Sequence, residues 1–162
     1  MKISRKLGLG NAYAQLPFGE HEDNLRRAIR CYELALRVWT ESGFSYSWAR
    51  TQYKLGKAYA DLASGDREEN LRRAVNCYEL ALRVWTETDF PGPWARTQYE
   101  LGNVHGQLLT ENRADNLRRA VGCYSAALRM RILSPSALDW EEVEKRLATC
   151  LFQLDETTKV VK

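Results

Sequence analysis

The sequence predicts an all-α protein built from a repeated pair of helices. The pentapeptide Asn-Leu-Arg-Arg-Ala begins at Asn24, again at Asn70 and again at Asn116, a spacing of 46 residues each time. Residues 24–69 and 70–115 are identical at 27 of 46 positions. Such a fixed period is typical of proteins that stack one structural unit on the next. Apolar residues recur at helical spacing, and no stretch shows the alternation of a strand.

Each repeat contains two predicted helices, which we name helix B, as in residues 25–39, and helix A, as in residues 48–62. The apolar stripe of helix B, spaced by three and four residues, consists of Leu25, Ala28, Tyr32, Ala35 and Trp39. The stripe of helix A, which Gln52 interrupts, consists of Trp48, Leu55, Tyr59 and Leu62. This spacing places each set on one face of an α-helix, so the two helices of a repeat can pack through their apolar faces.

We expect residues 1–162 to form a single domain. The predicted helix pairs cover about 3–41, 47–87 and 93–133, and a terminal half-repeat covers about 138–158. Chain-breaking residues support this division. Asp66 and Glu69 are spaced as a capping box before a helix B, and Pro91 suits the first turn of the following helix A.

Composition excludes several classes of protein. The net charge is only +3, with 24 basic and 21 acidic residues, so composition makes no case for nucleic acid. No apolar run reaches the length of about 20 residues that a membrane span needs, and the start lacks the apolar block of a secretory signal. Cys31, Cys77 and Cys123 occupy one position of the repeat, too far apart for disulfides. We therefore expect a reducing, cytoplasmic compartment.

The helix cores resemble the tetratricopeptide repeat, whose pattern is Leu-Gly-x-x-Tyr followed by Ala-x-x-x-Phe/Tyr-x-x-Ala. The matching residues of one repeat are Leu55, Gly56, Tyr59, Ala74, Tyr78 and Ala81. The pattern recurs from Leu9 and from Leu101, where His105 replaces the tyrosine. The resemblance covers nearly the whole chain, and it implies an α-solenoid of about seven antiparallel helices wound as a right-handed superhelix. Because glycine is costly inside a helix, its repeated use indicates close helix approach.

The period is longer than the roughly 34 residues usual for this family. The segment from Asp89 to Gln98, Asp-Phe-Pro-Gly-Pro-Trp-Ala-Arg-Thr-Gln, resembles long-form arrays of bacterial multidomain proteins. Those arrays often accompany caspase-like CHAT protease domains. The resemblance therefore also implies an alternative function, as the regulatory or sensor part of a CHAT-type protease system.

The residue pattern offers no catalytic or metal-binding constellation. The two histidines, His21 and His105, lie in different repeats with no cysteine or carboxylate at ligand spacing. The glycines of Gly8-Leu9-Gly10 belong to the repeat core, because no strand precedes them as a dinucleotide fingerprint requires. We predict a protein without catalysis, metal or cofactor.

In tetratricopeptide proteins the concave surface is lined by helix A, so the resemblance implies a partner-binding groove there. The predicted lining residues are Asn11, Arg50, Tyr53, Lys54, Lys57, Arg96, Tyr99, Asn103, Gln107, Lys145 and Arg146. Arginine and tyrosine dominate binding hot spots, and a guanidinium suits carboxylates. We therefore predict a protein–protein interaction module that binds a peptide, helix or protein of acidic character. The alternative for the arginine and tyrosine positions is that they only brace adjacent helices.

Two further alternatives remain for the function. Self-association as a scaffold could use the terminal helices, where Leu151, Phe152 and Leu154 form an apolar tip. Nucleic-acid binding could use the helix B arginines, although no aromatic residues interleave them. On this face Glu33–Arg37 and Glu79–Arg83 are spaced as ion pairs that would partly neutralise it.

Overall fold

A computed structural model of the chain describes residues 2–16, 21–109 and 112–160. Seven α-helices occur in these ranges: α1 (Lys2–Gln15), α2 (His21–Leu36), α3 (Ser45–Asp61), α4 (Arg67–Leu82), α5 (Pro91–Gln107), α6 (Arg113–Leu128) and α7 (Trp140–Val160). No strand is present among these described residues. The predicted all-α class is therefore confirmed. Helices α1, α3, α5 and α7 correspond to helix A of the repeat, and α2, α4 and α6 correspond to helix B.

The helix bounds repeat with the period of the sequence. Helices α2, α4 and α6 begin 46 residues apart and all have 16 residues, and α3 and α5 both have 17 residues. Helix α7 departs from the period, because it has 21 residues. Each helix B ends about five residues before its predicted end. The backbone tightens there into a turn, as in the hydrogen bond of 3.1 Å from Val84 N to Ala81 O, and this turn still buries Trp85.

The chain divides into two compact units, residues 1–84 and 85–162. The first unit contains α1 to α4, and the second contains α5 to α7. Within each unit every helix packs against the next one along the chain. The single domain and the right-handed superhelix stay predictions from the sequence.

A contact between one glycine and one tyrosine sets the distance between the helices of each pair. Tyr78 of α4 is fully buried, and a Cβ placed on Gly56 of α3 would lie 2.9 Å from its Cε1 atom. The corresponding distance is 2.7 Å for Gly10 and Tyr32 and 2.8 Å for Gly102 and Tyr124. Any larger residue at these positions would overlap the ring. The interpretation of the repeated glycine as a site of close helix approach is confirmed.

The repeated asparagine of helix B caps the preceding helix A. Asn70 Nδ2 donates a hydrogen bond of 3.2 Å to the carbonyl of Leu62, and Arg67 Nη1 donates one of 2.7 Å to the carbonyl of Ala60. The equivalent donors in the second unit are Asn116 and Arg113. These bonds satisfy carbonyls that the end of an α-helix leaves without partners, which gives the repeated asparagine a structural role at Asn70 and Asn116.

The N-terminus of α4 is capped as the sequence predicts. Asp66 accepts a hydrogen bond of 3.1 Å from the backbone nitrogen of Glu69. The Glu69 carboxylate instead accepts a hydrogen bond from Arg73 Nε at 2.9 Å, so it serves an ion pair along the same helix. Pro91 occupies the first position of α5, in agreement with its predicted role.

All four cysteines are free thiols. Burial raises the pKa of Cys77 to about 12, and it also raises the pKa of Cys31 and of Cys150. These thiols are therefore poor nucleophiles. Across residues 2–16, 21–109 and 112–160, none of the helices has the length and apolar character that crossing a bilayer requires.

Candidate functional site

The residues predicted to line a binding groove all lie on A helices. Asn11 lies on α1, and Lys145 and Arg146 lie on α7. The others are on α3 (Arg50, Tyr53, Lys54, Lys57) and on α5 (Arg96, Tyr99, Asn103, Gln107). Each side chain is exposed or half-buried, and spacings of three and four residues place those of α3 and those of α5 on one helix face. We call the surfaces that carry these residues the A-helix faces, one in each unit.

In the first unit, the A-helix face has positive charge on α3. The pKa of Lys54 is lowered by its partial burial and then by the neighbouring charges of Arg50 and Lys57. Tyr53 lies beside this group, and its ring centroid is 5.8 Å from that of the buried Tyr78. Three cations held close together repel one another, so an anionic group bound at this position would stabilise the charged form of Lys54.

Asn11 of α1 has an internal partner. Its Oδ1 atom accepts a hydrogen bond of 3.1 Å from the hydroxyl of Tyr32 in α2. The amide oxygen therefore helps to hold α1 and α2 together. A ligand can use only the hydrogen-bond donors of this amide and the second lone pair of its oxygen.

In the second unit, the A-helix face forms a groove between α5 and α7 with a volume of about 310 Å³. The structure brings four predicted residues together in this groove: Asn103, Gln107, Lys145 and Arg146. The other lining residues, which the sequence analysis did not predict, are Gly106, Tyr124, Glu142, Thr149, Cys150 and Gln153.

The two arginines of this face are held by intramolecular contacts. Arg96 Nε donates a hydrogen bond of 2.8 Å to the carbonyl of Ala137, which fixes the segment before α7. Arg146 Nε donates one of 2.7 Å to Glu142, and its guanidinium carbon lies 5.9 Å from the ring centroid of Tyr99. Arg96 and Tyr99 therefore brace α7 against α5, which is the alternative that the sequence left open for these positions.

The amides of Asn103 and Gln107 in this groove are also hydrogen-bonded, whereas the ammonium group of Lys145 is not, among the described residues. Asn103 Oδ1 accepts a hydrogen bond of 2.8 Å from Tyr124, and Gln107 Nε2 donates one of 3.1 Å to the Asn103 carbonyl. Within the part of the chain that the structure describes, the Lys145 ammonium has neither a hydrogen bond nor an ion pair, and the residue is exposed. Lys145 is thus the charged group of the groove that can meet a ligand without breaking an internal contact.

A signal in the sequence would have identified three of the missed lining residues. Glu142, Thr149 and Gln153 stand 46 positions after Arg96, Asn103 and Gln107, so extending the period onto α7 predicts them. They were missed because the apolar pattern of the helix core is weak in α7. The polar positions of the repeat nevertheless continue in α7 at the same spacing of 46 residues.

Part of the positive charge on the helix B surface is compensated by nearby carboxylates. Arg83 pairs with Glu41 at 3.0 Å rather than with Glu79, and the Glu33 carboxylate accepts a hydrogen bond of 2.9 Å from Tyr59. The two predicted helix B pairs do not occur among the ion pairs of the described residues. In the second unit, the helix B arginines paired with carboxylates include Arg118 and Arg129. Such pairing reduces the positive potential that a phosphate backbone would need.

His105 is a buried polar residue at the position where the first two repeats have tyrosine, Tyr13 and Tyr59. Its Nδ1 atom has no hydrogen-bond partner among the described residues. Burial, together with the nearby charge of Arg119, lowers the pKa of His105 to about 4. The folded protein therefore keeps this imidazole neutral at physiological pH.

This burial predicts a pH-dependent stability. An unfolded histidine binds its proton near pH 6.5 but His105 does so only near pH 4, so the free energy of unfolding should fall as the pH decreases between these values. We expect His105→Tyr, which restores the residue of the other repeats, to flatten this part of the profile. Urea unfolding at several pH values measures the effect. Parallel profiles for the variant and the original protein would contradict it.

Comparisons with family models, curated proteins and solved structures return no match for this chain. The tetratricopeptide resemblance and the connection to CHAT-type protease systems therefore stay predictions from the residues themselves. In the described part of the chain, no three side chains of the metal-ligating types lie together.

Proposed function

We propose that this chain is a tetratricopeptide-type interaction module that binds an acidic peptide, helix or protein on its A-helix faces. The observation that carries the proposal is the groove between α5 and α7, where the exposed Lys145 lies among amides and the Glu142 carboxylate is already paired with Arg146. Open grooves with a few convergent polar groups are the usual form of a ligand site.

The chemistry of both faces favours carboxylate ligands. In the second unit, Lys145 can pair with a carboxylate of the ligand, and the guanidinium of Arg146 lies next to it over the ring of Tyr99. In the first unit, Arg50 and Lys54 lie beside Tyr53, which supplies contact area. Complementary charge raises association rates and selects partners more than it raises affinity, so we expect moderate affinity with clear selectivity for acidic sequences.

A non-catalytic role agrees with the thiols of both units. Nucleophilic cysteines need a lowered pKa, whereas burial raises the pKa of Cys77 in the first unit and of Cys150 in the groove of the second. Four unpaired thiols also suit a reducing compartment, and we place the module in the cytoplasm.

Selection from a random peptide library tests the proposal. Peptides displayed on phage are selected on the full chain, and we expect the enriched sequences to be rich in aspartate and glutamate. The dissociation constant of an enriched peptide is then measured by fluorescence polarisation. Lys145→Glu should raise it about tenfold or more for a peptide that binds the second unit, and Arg50→Glu should do so for a peptide that binds the first, because each replaces an attraction with a repulsion.

Arg30→Glu is the matched control, since it makes the same charge change on the exposed surface of α2, a B helix. It should leave the dissociation constant nearly unchanged. The proposal fails if the enriched peptides show no acidic bias, or if Arg30→Glu weakens binding as much as the two A-helix substitutions do.

A further inference from the structure

Helix α1 has an apolar face that is open to solvent. Leu9 is 47% exposed and Leu16, directly after the helix, is 42% exposed. Together with Ala12 they form a stripe at helical spacing. This stripe borders an open groove of about 700 Å³, whose lining residues are Arg5, Lys6, Gly8, Leu9 and Ala12. The face thus combines an apolar centre with a basic border.

The same face is buried in the next helix A. The residues of α3 that correspond to Leu9 and Leu16 are Leu55 and Leu62, which are only 5% and 7% exposed. Helix α3 packs on the helices before and after it in the chain, whereas α1 packs on α2. The sequence of α1 therefore keeps an apolar stripe of the kind that a neighbouring helix covers in α3.

Helix α7 exposes the complementary side of a helix A. Leu151 is 48% and Phe152 is 69% exposed, next to the exposed Ala148. The residues of α5 that stand 46 positions before Leu151, Phe152 and Ala148 are His105, Gly106 and Gly102, respectively. Gly102 contacts Tyr124 of α6, and a Cβ on Gly106 would lie 3.7 Å from the Cys150 sulfur of α7, so this side of α5 faces the helices that follow it. In α7 the same side carries larger apolar residues and is open.

The charges on the two open faces are opposite in sign. Helix α1 has basic residues at Arg5 and Lys6, which border the open face, and its sequence contains no acidic residue. On α7 the stripe through Ala148 and Leu151 also contains Glu141, Glu144 and Asp155. Arg131 contacts Glu144 and Lys159 contacts Asp155, but α7 still has five acidic residues against three basic ones. Two α1 faces would repel each other, as would two α7 faces, whereas α1 attracts α7.

We propose that the α1 face of one copy docks on the α7 face of a second copy, so that the chain associates head to tail. The two surfaces differ, so the contact is heterologous, and each copy keeps one face open for another copy. The apolar centres supply the attraction through burial, and the charged borders select α1 with α7. The docking residues Leu9, Leu151 and Phe152 are separate from the lysines and arginines proposed to bind peptides.

Light scattering during size-exclusion chromatography, at concentrations from low micromolar to submillimolar, tests this proposal on the full chain. We expect the average mass to rise with concentration and the rise to weaken as salt is added. Leu9→Glu and Phe152→Glu, each confirmed to be folded by circular dichroism, should each remain monomeric. Ile132→Glu, at a position 90% exposed but outside both faces, should associate as the original chain does.

Mixing the two single variants separates head-to-tail contact from symmetric pairing. Leu9→Glu retains its α7 face and Phe152→Glu retains its α1 face, so an equimolar mixture should form one-to-one dimers and nothing larger. The proposal is overturned if the original chain stays monomeric throughout, if either variant alone still forms dimers, if the mixture stays monomeric, or if Ile132→Glu abolishes association. Peptide binding by the A-helix faces is measured separately and does not depend on any of these outcomes.

Discussion

Replacing Tyr78 by alanine is expected to lower the free energy of unfolding by about 3–5 kcal/mol, the cost of removing a large buried aromatic side chain. Tyr78 is fully buried in α4, where its ring lies against Gly56 and 5.8 Å from the ring of Tyr53. Deleting the ring leaves a cavity that Gly56 has no side chain to fill. Urea unfolding of the full chain, followed by circular dichroism, measures the loss.

Phe44→Ala is the control for this loss, because Phe44 is 56% exposed in the segment before α3. Its removal should change the free energy of unfolding by about 0.5 kcal/mol or less. Comparable losses for the two variants would show that the repeated tyrosine does not hold the helix pair together.

Gly102→Ala is expected to destabilise the second unit, although alanine favours a helix by about 1 kcal/mol over glycine. The new Cβ atom would lie 2.8 Å from Cε1 of Tyr124, so the ring or the helix has to move. Overpacking of this kind typically costs about 1–3 kcal/mol. We therefore expect a net decrease in the free energy of unfolding, measured by urea unfolding.

The neighbouring α6 provides a matched control for this prediction. A Cβ on Gly122 meets nothing within 4 Å, so Gly122→Ala should raise the free energy of unfolding by up to about 1 kcal/mol. In a Tyr124→Ala background the clash at Gly102 is absent, and Gly102→Ala should then become neutral or stabilising. A decrease of the same size with and without the Tyr124 ring would contradict the proposed contact.

The sequence was sufficient to predict the helices and most of their core. The 46-residue period appears unchanged in the bounds of α3 and α5, because apolar spacing, glycine and capping residues recur together. The buried Gln52, which interrupts the stripe of helix A, shows that one polar residue does not break the pattern. Local spacing therefore predicts the buried faces of α3 and α5, which have a helix on both sides along the chain, but not that of α1, where Leu9 is exposed.

The sequence was less informative about contacts that join separate helices. Arg96 was predicted to meet a ligand, but its guanidinium reaches the carbonyl of Ala137, which no periodicity reveals. Similarly, the oxygen of Asn103 is engaged by Tyr124, 21 residues away. The ends of helix B were also predicted too late, since the apolar spacing continues to Trp39 and Trp85 although the backbone has already turned. Such features depend on tertiary geometry.

The central claim, that acidic peptides bind on the A-helix faces, is tested most directly by nuclear magnetic resonance. Isotope-labelled protein is titrated with an acidic peptide from the library selection, and the shifts of backbone and side-chain amides are followed. We predict that the largest changes occur at Asn103, Gln107 and Lys145, with a second group around Lys54 on α3. Changes confined to the arginines of α2, α4 and α6 would contradict the account, as would the absence of any localised change at saturating peptide.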